Sequence, residues 1–133
     1  MKTKGGCYCG TIRYQIDGPV QAAFQCHCRE CQYSTGGAPN MLMAFAKEDV
    51  EITQGQMQSY GRADLAAPVT RFFCATCGTL VGNHSPNRPE LMILRAGTLD
   101  TPHLFHPQLA IFLCDAQPFH LIENGLPAFD KRP

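Results

Sequence analysis

The apolar positions of this chain come in short alternating runs, broken by Gly, Pro, Asn or Asp every eight to twelve residues. In TIRYQI (11–16) Ile12, Tyr14 and Ile16 fall on one face, and DGP then turns the chain. VQAAFQ (20–25), NMLMAFA (40–46), DVEIT (49–53), VTRFF (69–73), TLVGN (79–83), LMILRAG (91–97) and HPQLAIF (106–112) have the same character. Side chains two apart share a face of an extended strand, so this spacing predicts an all-β domain. No window of eleven or more residues holds a 3.6-residue period, although AKEDVEIT could open with a helical turn. SPNRPE (85–90) is expected as a surface loop. Neither a linker nor a repeat interrupts the pattern, and a single domain over residues 1–133 is expected.

Length agrees, because 133 residues can bury a core without covalent staples. Eleven basic side chains balance eleven acidic ones, so no basic face recommends nucleic acid or a membrane surface as a partner. No apolar run is long enough to cross a bilayer. MKTKGGCYCG carries no apolar leader core, so a cytoplasmic protein is expected.

Cysteine changes the picture. Eight of them in a chain without a secretory leader point to metal ligands rather than disulfides. FFCATCG holds a Cys-x-x-Cys followed by glycine, the pattern of a zinc knuckle, in which a tight turn brings two sulfurs and several amides together. The redox use of Cys-x-x-Cys expects a βαβ context, and no helix is predicted after Cys77. Structural zinc takes four ligands. Cys7 and Cys9, flanked by Gly5, Gly6 and Gly10, can bend to supply the other pair, so Cys7, Cys9, Cys74 and Cys77 are the expected structural set. CHCRECQ (26–32) then offers three, Cys26, Cys28 and Cys31. Three protein ligands with a fourth position left to water or substrate is the pattern of a catalytic zinc. His27 is poorly placed as a fourth ligand between two that already bind. Cys114, in AIFLC, could close the site but reads instead as a small buried hydrophobe. YSTGGAPN (33–40) could border the open position or be an ordinary turn.

These motifs together resemble the glutathione-dependent formaldehyde-activating enzyme family, which includes the centromere-protein-V domain. GGCYCGTIRY resembles the family's opening, CHCRECQYSTGGAP its central motif, FFCATCGTLV its knuckle strand and ENGLPAFD its closing segment. The resemblance implies a β-tent fold of antiparallel sheets around a structural zinc on Cys7, Cys9, Cys74 and Cys77, with a second zinc on Cys26, Cys28 and Cys31. It implies a carbon–sulfur lyase-type reaction, joining glutathione and formaldehyde into S-hydroxymethylglutathione or acting on a related thiol adduct. Arg29, Arg71 and Arg95 could hold a glutathione carboxylate, or could be solvated surface. His84, His103, His106 and His120 are expected as surface or hydrogen-bonded side chains. Many members carry a Trp near the carboxyl end, where this chain has Phe112 and Phe119. A zinc-stabilised binding module without turnover is the rival reading, and dependence on a thiol separates the two.

Overall fold

The computed structural model describes residues 2–133. Ten strands form two sheets. The smaller sheet pairs β1 (Thr3–Gly6), β2 (Arg13–Ile16) and β5 (Val50–Gln54) antiparallel, in the order β1-β2-β5. The larger contains β3 (Val20–Cys26), β4 (Asn40–Ala46), β6 (Gln58–Tyr60), β7 (Thr70–Phe73), β8 (Leu80–His84), β9 (Leu91–Arg95) and β10 (Leu109–Ile111). Its order is β10-β3-β4-β9-β8-β7-β6. The mainly β expectation holds, with one correction to its antiparallel form: β10 lies parallel to β3. Closing a parallel pair requires a crossover, and here the chain between them runs through β4 to β9 before returning to the edge. The closing segment then lies along β10, with the Ala110 amide donating to the Pro127 carbonyl and the Phe129 amide to the Ala110 carbonyl.

The alternation in the sequence dictates the core. Ile12, Tyr14 and Ile16 present one buried face of the smaller sheet to Met43 and Phe45 of β4, Val81 of β8 and Leu94 of β9. Each side chain of this size removed from water contributes roughly 1.5–3 kcal/mol. Tyr14 carries a hydroxyl into this interior and places it 2.8 Å from Thr98 Oγ1, which itself donates to the Arg95 carbonyl at 2.8 Å. The Tyr14 hydroxyl therefore donates to Thr98, and a buried polar group is satisfied.

One helix was not expected. α1 spans Arg29–Thr35, inside the cysteine cluster and its following loop. Cys28 is its N-cap, with a sulfur accepting the Cys31 amide, and Gly36 ends it in the left-handed conformation at φ 78°. At seven residues α1 is too short to show a period in an eleven-residue window, but its two caps close both ends. The anticipated turn at AKEDVEIT is present as a 3-10 turn over Lys47–Asp49. None of the helices among the described residues is long and apolar enough to cross a membrane.

Candidate metal centres

Two sets of sulfurs converge, and within each set all ligand atoms lie within 4.8 Å of one another. The first contains Cys7, Cys9, Cys74 and Cys77. Cys7 follows β1 and Cys9 lies in the turn before β2, while Cys74 and Cys77 occupy the turn joining β7 to β8. In the first turn the Gly10 amide donates to the Cys7 carbonyl at 3.1 Å, and the Ile12 amide to Cys7 Sγ at 3.2 Å. In the second, the Gly78 amide donates to the Cys74 carbonyl at 2.8 Å, and Gly78 takes φ 76°, where a Cβ would be strained. The Tyr8 amide donates to Thr79 Oγ1 at 3.1 Å, so the two turns are laced together.

The sulfurs fit a metal. Cys7 and Cys9 sulfurs are 3.7 Å apart, and those of Cys9 and Cys74 are 3.8 Å apart. A tetrahedron with 2.3 Å zinc–sulfur bonds has an edge of about 3.8 Å, whereas a disulfide needs about 2.05 Å. Cys77 is prepared to be an anion. The Thr79 hydroxyl, the Thr79 amide and the Cys9 amide hold its thiol down to about 5. Burial pushes Cys7 up, yet the Ile12 amide and the Cys9 and Cys74 thiols outweigh it and leave it lowered.

The second set contains Cys26, Cys28 and Cys31. Cys26 ends β3, Cys28 caps α1, and Cys31 lies within α1. The trio thus depends on a strand turning directly into a helix. Gln32, only 3% exposed, fixes that turn by donating from Nε2 to the carbonyls of His27 and Asp115, each at 2.8 Å. Asn40 Nδ2 donates to Cys31 Sγ at 3.7 Å, while its Oδ1 accepts from Arg95 Nε at 3.0 Å. Neighbouring thiols dominate the acid–base behaviour of the three. Hydrogen bonds from Cys26 and Cys31 hold Cys28 far below an ordinary thiol, and the same contacts push Cys26 far up. Cys26 pulls Cys31 down, but Cys28 and burial leave it raised to about 11. The trio thus sets one lowered thiol beside two raised ones, and a bound cation would favour the thiolate form of all three.

No nitrogen of His27 belongs to either set. Its ring is fully buried and lies with Nδ1 2.9 Å from Nδ1 of His120. His120 Nε2 donates to the Gly37 carbonyl at 2.7 Å, and its Nδ1 accepts the Gln117 amide, so His27 Nδ1 carries the shared proton. The pair clamps the closing segment onto the end of α1. His84 Nε2 donates to the Pro89 carbonyl, 3.2 Å away.

One expectation needs correction. Cys114 is exposed rather than core, in the 3-10 turn Leu113–Asp115. Phe112 takes φ 59°, which ends β10 and breaks the alternation that would have buried the thiol. YSTGGAPN, open to two readings as a border of the vacant position or an ordinary turn, starts as the last turn of α1, sends Asn40 to Cys31 Sγ, and contributes no residue to the cavity onto which Cys26 and Cys31 face. Cys26 and Cys31 floor a cavity of about 550 Å³ walled by β10, β3, β4, β9, β8 and β7. Of the three arginines, Arg71 lines this cavity and pairs with Glu30 at 3.0 Å. Arg95 is spent on Asn40 and Ser34, and Arg29 stacks 5.0 Å from the Tyr33 ring. Gln32 and Asn40 were missed in the sequence. The signal available was a polar side chain at a position that the apolar pattern buries.

Comparison with known proteins places these motifs. A structure from Rhodobacter sphaeroides resembles this one at a TM-score of 0.62 and 17% identity, over 95% of this chain and 98% of that one, a likeness of fold. A comparison with curated proteins found no match. The model of the glutathione-dependent formaldehyde-activating enzymes matches residues 2–115, which includes all seven clustered cysteines. The chain belongs to the glutathione-dependent formaldehyde-activating enzyme family.

Proposed function

We propose that Cys7, Cys9, Cys74 and Cys77 hold a structural zinc, and that Cys26, Cys28 and Cys31 hold a second zinc with one coordination position open. The protein then acts as a carbon–sulfur lyase-type enzyme on glutathione and formaldehyde, or on a related thiol adduct. The observation that carries this reading is that Cys26 and Cys31 form the floor of the large cavity, so the trio faces a space that a small molecule can enter. A cytoplasmic setting suits it, since eight thiols stay unpaired there.

Cys26, Cys28 and Cys31 would hold the zinc, which would supply a lowered proton affinity to an incoming thiol. The chain's own residues do the rest. Asn40 and the Cys31 amide hold two of the ligand sulfurs in place by hydrogen bonds. The Arg71 guanidinium, on the cavity wall, favours an anionic group nearby. In the forward direction the thiol sulfur bonds to the aldehyde carbon, the carbonyl π pair moves to oxygen, and the thiol proton ends on that oxygen. No histidine, aspartate or glutamate side chain among the described residues lines the cavity, and water is assigned the transfer of this proton.

That same lack of an acid–base side chain favours the second reading, a zinc-stabilised module that binds a thiol without turnover. The rate of exchange between glutathione, formaldehyde and their adduct decides between them. Zinc-loaded protein should accelerate exchange, and Cys26→Ser should abolish the acceleration. Thiol binding without any acceleration would establish the binding module.

A further inference from the structure

The cavity above the trio is walled mainly by apolar side chains, a lining that the hydroxymethyl group of a one-carbon adduct does not use. Its volume of about 550 Å³ suits an organic ligand of the size of a substituted glutathione. Its wall is one face of the larger sheet, made by residues two apart on adjacent strands. Leu109 stands opposite Phe24, Phe24 opposite Leu42, and Ile111 opposite Cys26. Ile93 continues the surface from β9, so the apolar wall runs unbroken to the cysteine floor. Charge is confined to the cavity's other parts, and every charged side chain there is basic: Arg71, Arg88 and Arg132. Arg71 and Arg88 are paired with Glu30 and Glu90, whereas Arg132 stacks 5.7 Å from the Phe112 ring and makes no ion pair among the described residues.

We propose that this site takes thiol adducts whose carbon substituent is an extended apolar chain or ring, with an anionic group on the thiol half held toward Arg132. The inference rests on the reading of the trio as the thiol site, and it names a substrate class for it. The compound is RS–CH(OH)–R′, with R′ apolar and R bearing a carboxylate. Its cleavage breaks the carbon–sulfur bond, leaves the electron pair on sulfur, and forms R′CHO as the hydroxyl proton is lost and a proton returns to the thiol. Nothing is oxidised or reduced. A formaldehyde adduct would leave the sheet face to water, whereas R′ would cover it. Each buried methylene strengthens binding by up to about fourfold, and by roughly twofold if only half of it is covered.

The test uses thioethers, in which sulfur chemistry is constant and only the chain varies. Zinc-loaded protein is titrated calorimetrically with S-methyl-, S-butyl- and S-hexylglutathione. Affinity should rise at each step, by on the order of 30-fold or more from methyl to hexyl. Leu109→Ser, at the edge strand, should flatten that slope while leaving the melting temperature within a few degrees, and Arg132→Gln should weaken all three ligands by a similar factor without changing the slope. S-hexylglutathione binding no tighter than S-methylglutathione, or no binding of either, would overturn the proposal. The exchange assay with formaldehyde is a separate readout. A chain-length slope without turnover keeps the apolar site and removes the lyase reading, whereas turnover without a slope does the reverse.

Discussion

Replacing one ligand in each cysteine set should have unequal consequences. A tie between Cys9 and Cys74 bridges 65 residues and fastens the smaller sheet to the turn between β7 and β8. Closing such a loop removes unfolded-chain freedom equivalent to about 4 kcal/mol, against about 2 kcal/mol for the short span from Cys26 to Cys31. A closed four-sulfur zinc adds apparent binding energy on the order of 10 kcal/mol, comparable to the whole stability of a domain. Cys77→Ser should therefore abolish cooperative unfolding or yield insoluble protein. Cys28→Ser removes a ligand of the trio, but a serine hydroxyl can still accept the Cys31 amide as an N-cap. Its loss should lie near 2 kcal/mol, or roughly 5–10 °C in melting temperature. Thermal unfolding of both variants and the parent, each zinc-loaded, reads the difference. Equal losses would refute the assignment of the first set as the structural centre.

Elemental analysis of protein prepared without chelator should give two zinc ions per chain, with only one removed by brief treatment with a mild chelator. Zinc-loaded protein should take up a single alkyl group from iodoacetamide, at exposed Cys114, with no change in thermal stability; Cys114→Ser should take up none. Burial foremost raises the Tyr14 phenol to about 12, opposed by the Thr98 hydroxyl. A folded value above the unfolded one, near 10, means that its contribution is intact below about pH 10 and lost as pH rises through 12, amounting to about 3 kcal/mol. Tyr14→Phe should be correspondingly less sensitive to alkali over that interval, as measured by denaturant titration at stepped pH.

Much of the fold was legible because alternation is a local property that survives in the sequence. Ile12, Tyr14 and Ile16 face the core as their spacing requires, and seven further strands match the predicted runs, three of them running one residue past the run's end. β1 and β6 were not legible. TKGG and QSY have no apolar face, and they are strands because β2 and β7 offer them backbone partners. α1 was hidden because caps and cysteine contacts, rather than an amphipathic stripe, close its single pair of turns. The cysteine grouping was legible in the spacing, since knuckle turns are built from neighbours. The cavity was not, because its wall comes from six strands whose pairing is a tertiary fact, and Gly36, within YSTGGAPN, terminates a helix.

The central claim is that the trio is an open zinc site that accepts a thiol, and zinc-edge X-ray absorption tests it most directly. With both sites loaded, four sulfurs on one zinc and three on the other average to about 3.5 sulfurs per zinc. Glutathione should raise that average to about 4 with loss of the light-atom ligand, and S-methylglutathione, without an ionisable thiol, should leave it near 3.5. An average that starts at 4, or one that glutathione does not move, would contradict the account.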